Sequence, residues 1–149
     1  VEGDVHMGAQ VRHRYDAWKQ PSSPNLRQVH LIHQELFVEL RDAGLVVNAG
    51  DLGENITTSA LDLLALPKGT RLRLGEQAVV MITGLRAPCK QMDRFRLGLV
   101  QAVLSRDQIG KRSSRAGVMA VVLEGGDVCP GDTISVELPA GNHEALRPV

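Results

Sequence analysis

Arg71, Leu72, Arg73 and Leu74 alternate strictly between charged and apolar side chains. A period of two places both leucines on one face and both arginines on the other, which is the geometry of a strand with one buried side. Gly69 and Gly75 bound this stretch, and other β-rich runs carry similar punctuation: QAVVMITGL over 77–85, and runs over 118–123 and 133–138 joined by a turn rich in glycine with Pro130. LVVNAG, 45–50, has the β-branched content of a further strand. Strands do not alternate with long helices, so a parallel sheet built from βαβ units is excluded.

Two helices complete the reading. From Asn25 to Leu40 the apolar residues Leu26, Val29, Ile32, Leu36, Phe37 and Leu40 recur at helical spacing, with Pro24 and Asn25 as a start, Gln28 as a capping partner and Gly44 as a stop. A second helix is expected over 95–106, where Leu99, Val100, Val103 and Leu104 form a stripe interrupted by Gly98. Residues 1–23 read as loop. The pattern predicts a mainly antiparallel sheet closed into a barrel or sandwich, with helices packed outside.

A chain of 149 residues, 43% of them hydrophobic, is the size of one domain with its own core, here 1–149 with 139–149 as a tail. Zero net charge and 3% aromatic residues leave neither the electrostatic footprint nor the stacking surfaces of a nucleic-acid binder. No apolar run approaches the roughly 20 residues of a membrane span, and no secretory leader is recognisable. The expected compartment is the cytoplasm, where Cys89 and Cys129 stay free thiols.

Three groups of residues can carry chemistry. Between positions 86 and 115 eight basic residues, Arg86 and Arg115 among them, face two acidic ones, and Cys89 lies inside this segment. Nearby cations favour thiolate, the form that attacks electrophiles and binds soft metals, and arginines also hold phosphates. A buried cysteine beside a solvated basic helix is the plain alternative. His30 and His33, three residues apart on the expected helix, share a face, and His6 follows Asp4 at strand spacing; either pair offers zinc ligands, but no Cys-x-x-Cys pair accompanies them. GDLGENIT, 50–57, combines two glycines with the exposed polar residues Asp51, Glu54 and Asn55, and matches no phosphate-loop spacing.

GDVHMG, NLRQVHLIH, AGDLGENITT, LPKGTRLRLGE, GLRAPCKQMD and RAGVMAVVLEGGDVCPGDTI, in this order, resemble the MOSC domain, named for the C-terminal part of molybdenum-cofactor sulfurase. The resemblance runs from the first residues to about Leu138. It implies a closed antiparallel β-barrel with two or so flanking helices, and an N-terminal strand expected ahead of Val1. It also implies that Cys89 is the cysteine that carries sulfur or ligates molybdenum. His6, Arg27, His30, Asn55, Arg86 and Arg115 are the residues it places around a pterin-based molybdenum cofactor. Cys129 falls where the family pattern has no cysteine.

Two functions follow from the resemblance. In one the chain is a molybdenum-dependent oxidoreductase that reduces N-hydroxylated compounds, with a redox protein as electron donor. In the other it is a sulfur carrier whose Cys89 accepts persulfide from a cysteine desulfurase. No pyridoxal-phosphate lysine motif is present, so pyridoxal phosphate would belong to that partner.

Overall fold

A computed structural model describes residues 24–106 and 112–149. Its elements in chain order are β1 (Val29–His33), α1 (Glu35–Asp42), β2 (Ile56–Thr58), β3 (Arg71–Leu74), β4 (Ala78–Leu85), α2 (Lys90–Phe95), α3 (Leu99–Ala102), β5 (Leu104–Arg106), β6 (Arg112–Ser114), β7 (Val118–Glu124) and β8 (Ile134–Glu137). Six strands form one curled sheet in the order β2-β1-β7-β4-β3-β8, and β5 pairs with β6 separately. Among the described strands β1 and β2 run parallel and the other ladders are antiparallel, with one isolated parallel bridge between Leu85 and Pro148.

The alternation at 71–74 is realised as read, with Leu72 and Leu74 buried and Arg71 and Arg73 exposed. Register carries that face across the sheet. Leu72 pairs with Val80 on one side and Val136 on the other, and Ile82 pairs with Ala120, which in turn faces Val29. Val29, Leu72, Val80, Ile82 and Ala120, with Leu31, Leu63, Leu85 and Val118, belong to the first core cluster, closed by Leu61, Leu64, Leu66 and Leu146, while Val136 on the end strand is exposed. The opposite face carries the second cluster, in which Ile32 packs with Leu36, Phe37 and Leu40 of α1, Val47, Leu52, Met92, Leu99, Val103 and Ala116. Burial of the three α1 side chains contributes about 1.5–3 kcal/mol each.

The expected closed barrel is corrected to a half-barrel: β2 and β8 stand at opposite ends of the sheet with no ladder between them. These ends have three and four residues, too few ladder positions to join a barrel whose closure requires matched stagger. Register shifts at Val79/Val80 and Ile82/Gly84 between β4 and β7 supply the curl. The tail is bound to the sheet rather than loose. The Leu85 N–H donates to the Arg147 carbonyl at 2.8 Å, the Val149 N–H donates to Leu85 at 3.2 Å, and Leu146 packs on the first cluster.

The helices also differ from expectation. The span 25–40 is a strand followed by a helix, because β1 is covered on both faces and so shows a continuous apolar run that imitates helical spacing. α1 then ends at Gly44, whose φ of 80° takes the left-handed turn. The span 95–106 is broken at Gly98, φ 91°, into the end of α2, the single turn α3, and β5. Residues 45–50 are irregular, with Val47 plugging the second cluster. Among the described residues no helix is long and apolar enough to cross a membrane.

Candidate functional site

β4 delivers the chain to Arg86 and Cys89. The Arg86 N–H donates to the Gly117 carbonyl at 3.0 Å, and the Arg86 carbonyl accepts the Ser114 hydroxyl at 2.6 Å, so the residue is pinned between β4 and the approach to β7. Its guanidinium reaches Met92 Sδ at 3.3 Å and the Leu52 carbonyl at 3.4 Å. The thioether is a weak acceptor and the contact to the carbonyl is long, and no carboxylate among the described residues forms an ion pair with this half-buried cation. A guanidinium has five N–H donors, so most of its capacity remains for a ligand.

Cys89 follows in extended backbone, φ −122° and ψ 161°, at the start of α2. Its carbonyl accepts the Met92 N–H at 3.0 Å, which places the cysteine backbone beside the side chain that Arg86 touches. The thiol is half-buried against the second cluster and lies 3.8 Å from Gln91 Oε1. Cys129 is exposed in a turn closed by Asp132 and is remote from Cys89 in sequence; both thiols are free.

His30 is on β1, 4% exposed, facing the opposite way from its neighbours Val29 and Leu31. Asn55 fixes it twice at the backbone: the Asn55 side-chain oxygen accepts the His30 N–H at 2.8 Å, and the Asn55 N–H donates to the His30 carbonyl at 2.9 Å. His30 Nε2 lies 2.7 Å from the Ala116 carbonyl. A carbonyl can only accept, so Nε2 carries the proton and Nδ1 presents a lone pair. Nδ1 is buried and has no hydrogen-bond partner.

Burial pushes the His30 pKa from 6.5 to about 4. The Ala116 carbonyl opposes that, the Arg86 cation adds to it, and Glu54 and the Gly53 carbonyl oppose it further. His30 is therefore neutral at pH 7, and Arg86 is the cation of this corner. The expectation that His30 and His33 share a helix face is corrected: three residues apart on a strand they point to opposite sides, so they are not a pair of metal ligands. Burial also lowers the His33 pKa. Among the described residues no group of three histidines, cysteines or carboxylates is placed to hold a metal ion.

The remaining expected residues separate. Asn55 is exposed and structurally engaged as above. Arg27 is exposed ahead of β1, its N–H accepted by Asn25 Oδ1 at 3.0 Å. Arg115 forms an ion pair with Glu39 on α1 and donates its backbone N–H to Val103 at 2.8 Å. His6 lies outside the described residues.

Glu54, expected as an exposed polar residue of a turn, is half-buried. Its Oε1 accepts the Gly50 N–H at 2.6 Å and the Thr57 hydroxyl at 3.3 Å, while Oε2 is buried without a partner. Its spacing to Gly50 was the available clue, since a carboxylate four residues after a glycine can close that turn on itself. Met92 was not distinguished by any motif and becomes visible only through its contact with Arg86.

The corner thus draws a sulfur, a guanidinium without a carboxylate partner among the described residues, and two buried acceptors from β1, the 50–55 loop and the β4–α2 joint. Comparison with solved structures gives the same architecture. YiiM from Geobacillus stearothermophilus is 26% identical with a TM-score of 0.61, over 76% of this chain and 56% of that one. The YuaD protein from Bacillus subtilis is 24% identical with a TM-score of 0.69, over 90% and 78%. YiiM from Escherichia coli is 20% identical with a TM-score of 0.60, over 79% and 58%. The chain therefore spans little more than half the length of either YiiM structure. No curated protein matches it. The model of the MOSC domain matches residues 3–135, which is most of the sequence, and the chain belongs to the MOSC domain family.

Proposed function

We propose that this protein binds a molybdenum cofactor and acts as a reductase of N-hydroxylated compounds, with Cys89 as the molybdenum ligand. The observation that carries the reading is Arg86, a half-buried cation without a carboxylate partner among the described residues, three residues before a half-buried thiol. A thiolate-ligated metal on a phosphate-bearing pterin calls for a sulfur, a cation and hydrogen-bond acceptors, and the corner offers groups of all three kinds. The unpartnered His30 Nδ1 and Glu54 Oε2 supply the acceptors, so the residues present fit the group.

When bound, the cofactor supplies a metal centre that takes the oxygen of an N–O bond, with electrons from an external redox protein. The chain's own part is positioning and electrostatics. Cys89 offers the sulfur, and Arg86 donates to anionic oxygen. His30, neutral at pH 7, adds no second positive charge; the Ala116 carbonyl holds its ring in one tautomer and Asn55 fixes its backbone.

The test is Cys89→Ser, which replaces a soft ligand by a hard hydroxyl of similar size. Protein from a molybdate-replete host is expected to carry near-stoichiometric molybdenum, and the variant little. Reduction of a hydroxylamine or amidoxime by the reconstituted system is expected to fall at least about 100-fold, the scale of losing a metal-tuning group. A wild type that reduces none of these, yet gains about 32 Da on Cys89 after incubation with desulfurase and cysteine, establishes the sulfur carrier instead.

A further inference from the structure

Between α2 and α3 the chain forms a knuckle, residues 94–97, that turns Arg94, Phe95, Arg96 and Leu97 to solvent. Phe95 is 50% exposed and Leu97 86%, the highest value for a large apolar side chain among the described residues. The backbone beneath them is nevertheless held tightly. Met92 and Leu99, on either side, are anchored in the second core cluster. The Arg96 N–H donates to the Met92 carbonyl at 2.9 Å, the Leu99 N–H donates to the Arg96 carbonyl at 3.2 Å, and Asp93 Oδ1 accepts the Val100 N–H at 2.8 Å. Arg96 is extended and Gly98 takes φ of 91°, so the chain leaves α2 at Leu97 and re-enters at α3.

Lys90, Arg94 and Arg96 are exposed, and no carboxylate among the described residues forms an ion pair with them. Asp93, the one acid among them, is engaged by α3. An ordered turn with apolar side chains at its tip and unpaired cations around them has the make-up of an interface, with anchors to fill a recess and arginines to meet carboxylates. We propose that the knuckle is the docking surface for a protein that carries an acidic face around an apolar recess, and that it brings this protein to Cys89. α2 has Cys89 at its start and six residues, about 9 Å at 1.5 Å each, so thiol and knuckle stand at the two ends of one short helix. What the partner delivers rests on the proposed function: reduction of an N–OH group to N–H and water takes two electrons and two protons, and the docked protein supplies the electrons. Other surfaces fit less well. Two apolar side chains bury little in a bilayer when the chain has zero net charge, and a single aromatic ring gives no row of stacking platforms for nucleic acid.

The experiment uses the whole chain and two probes, a flavodoxin and a plant-type ferredoxin, both small acidic redox proteins. Binding is followed by NMR of the isotope-labelled chain. Wild type is expected to show shifts centred on 90–97 and an affinity that falls at least about tenfold when about 0.2 M salt is added. Leu97→Ser, and Arg94→Glu combined with Arg96→Glu, are each expected to weaken binding at least about tenfold. These side chains are exposed, so the melting temperature is expected to move by no more than about 2 °C. With dithionite-reduced methyl viologen as the electron source the variants are expected to reduce a hydroxylamine at the wild-type rate, and with the protein donor at about a tenth of it or less. Binding of neither probe by wild type, shifts centred elsewhere, unchanged affinity in the variants, or adsorption to phosphatidylserine vesicles in place of both proteins overturns the docking surface. A viologen-driven rate that falls in step with the donor-driven one overturns it too. Docking through 94–97 by a protein that reduces nothing with viologen keeps the surface and refutes the proposed function. Viologen-driven reduction with donor-driven rates unchanged in the variants does the reverse.

Discussion

Lowering the pH from 7 to 4 perturbs His30 in a calculable way. The group has an unfolded value of 6.5 and a folded value of about 4, so its folded pKa is depressed and the unfolded chain binds the proton first. Stability from this residue is therefore complete above 6.5 and is lost as pH falls through the window between the two values. The fall from 6.5 to about 4 amounts to roughly 3 kcal/mol, of which about a quarter is gone by pH 6, more than half by pH 5 and most by pH 4. Those losses are a large share of the stability of a domain this size. Burial is the main cause, with Arg86 adding to it and the Ala116 and Gly53 carbonyls and Glu54 opposing. The assay is urea unfolding at half-unit intervals from pH 7.5 to 4, with the His30 ring titrated by NMR in the folded protein. A slope near one proton taken up on unfolding between pH 6 and 5 is expected from His30, with His33 adding to it in the same direction. A His30 that titrates near 6.5 in the folded state refutes the reasoning, because it would mean that the ring meets water.

Gly117→Ala puts a Cβ 2.2 Å from the Leu31 carbonyl and 2.9 Å from His30 Nε2 at a φ of 92°, so it is expected to cost at least about 3 kcal/mol by urea unfolding. A loss below about 1 kcal/mol would show that β1 and the Gly117 turn do not meet as described. Gly84→Ala directs a Cβ to 2.4 Å from the Arg147 carbonyl and 2.6 Å from Val149 Cγ1, and is expected to displace the tail while β4 persists. Limited proteolysis checks it, with cleavage in 139–149 appearing in the variant and not in wild type.

The strands were legible where one face met solvent or turn residues bounded them. Residues 71–74 alternated, and β4, β7 and β8 each fall within an apolar run delimited by glycine or proline. β1 was not legible, since Val29, His30, Leu31 and Ile32 are all buried and a strand covered on both sides loses its period of two. The same misreading put His30 and His33 on a shared face. Closure was illegible for another reason. It depends on whether the end strands meet, and nothing in the local pattern of Ile56–Thr58 or Ile134–Glu137 encodes the distance between them.

For the candidate site, the local count of charges does not tell where the basic side chains go. The eight basic residues between 86 and 115 suggested a single field around Cys89, yet the chain disperses those whose side chains are described. Arg115 is paired with Glu39, while Lys90, Arg94 and Arg96 lie exposed in and just after α2, where water screens them. Arg86 alone among these is half-buried without a carboxylate, and a cation in that state is worth more to a ligand than several solvated ones. The loop GDLGENIT holds the complementary part. Asn55 is used to fix β1, and this fixes Glu54 beside a histidine whose one free nitrogen is an acceptor. Neither residue declares this in sequence, because the constraint is set by the Ala116 carbonyl, 86 positions from His30, which selects the tautomer. A donor-seeking corner is thus a product of long-range pairing between β1 and the turn before β7, built on residues that local patterning reads as a helix and an ordinary loop.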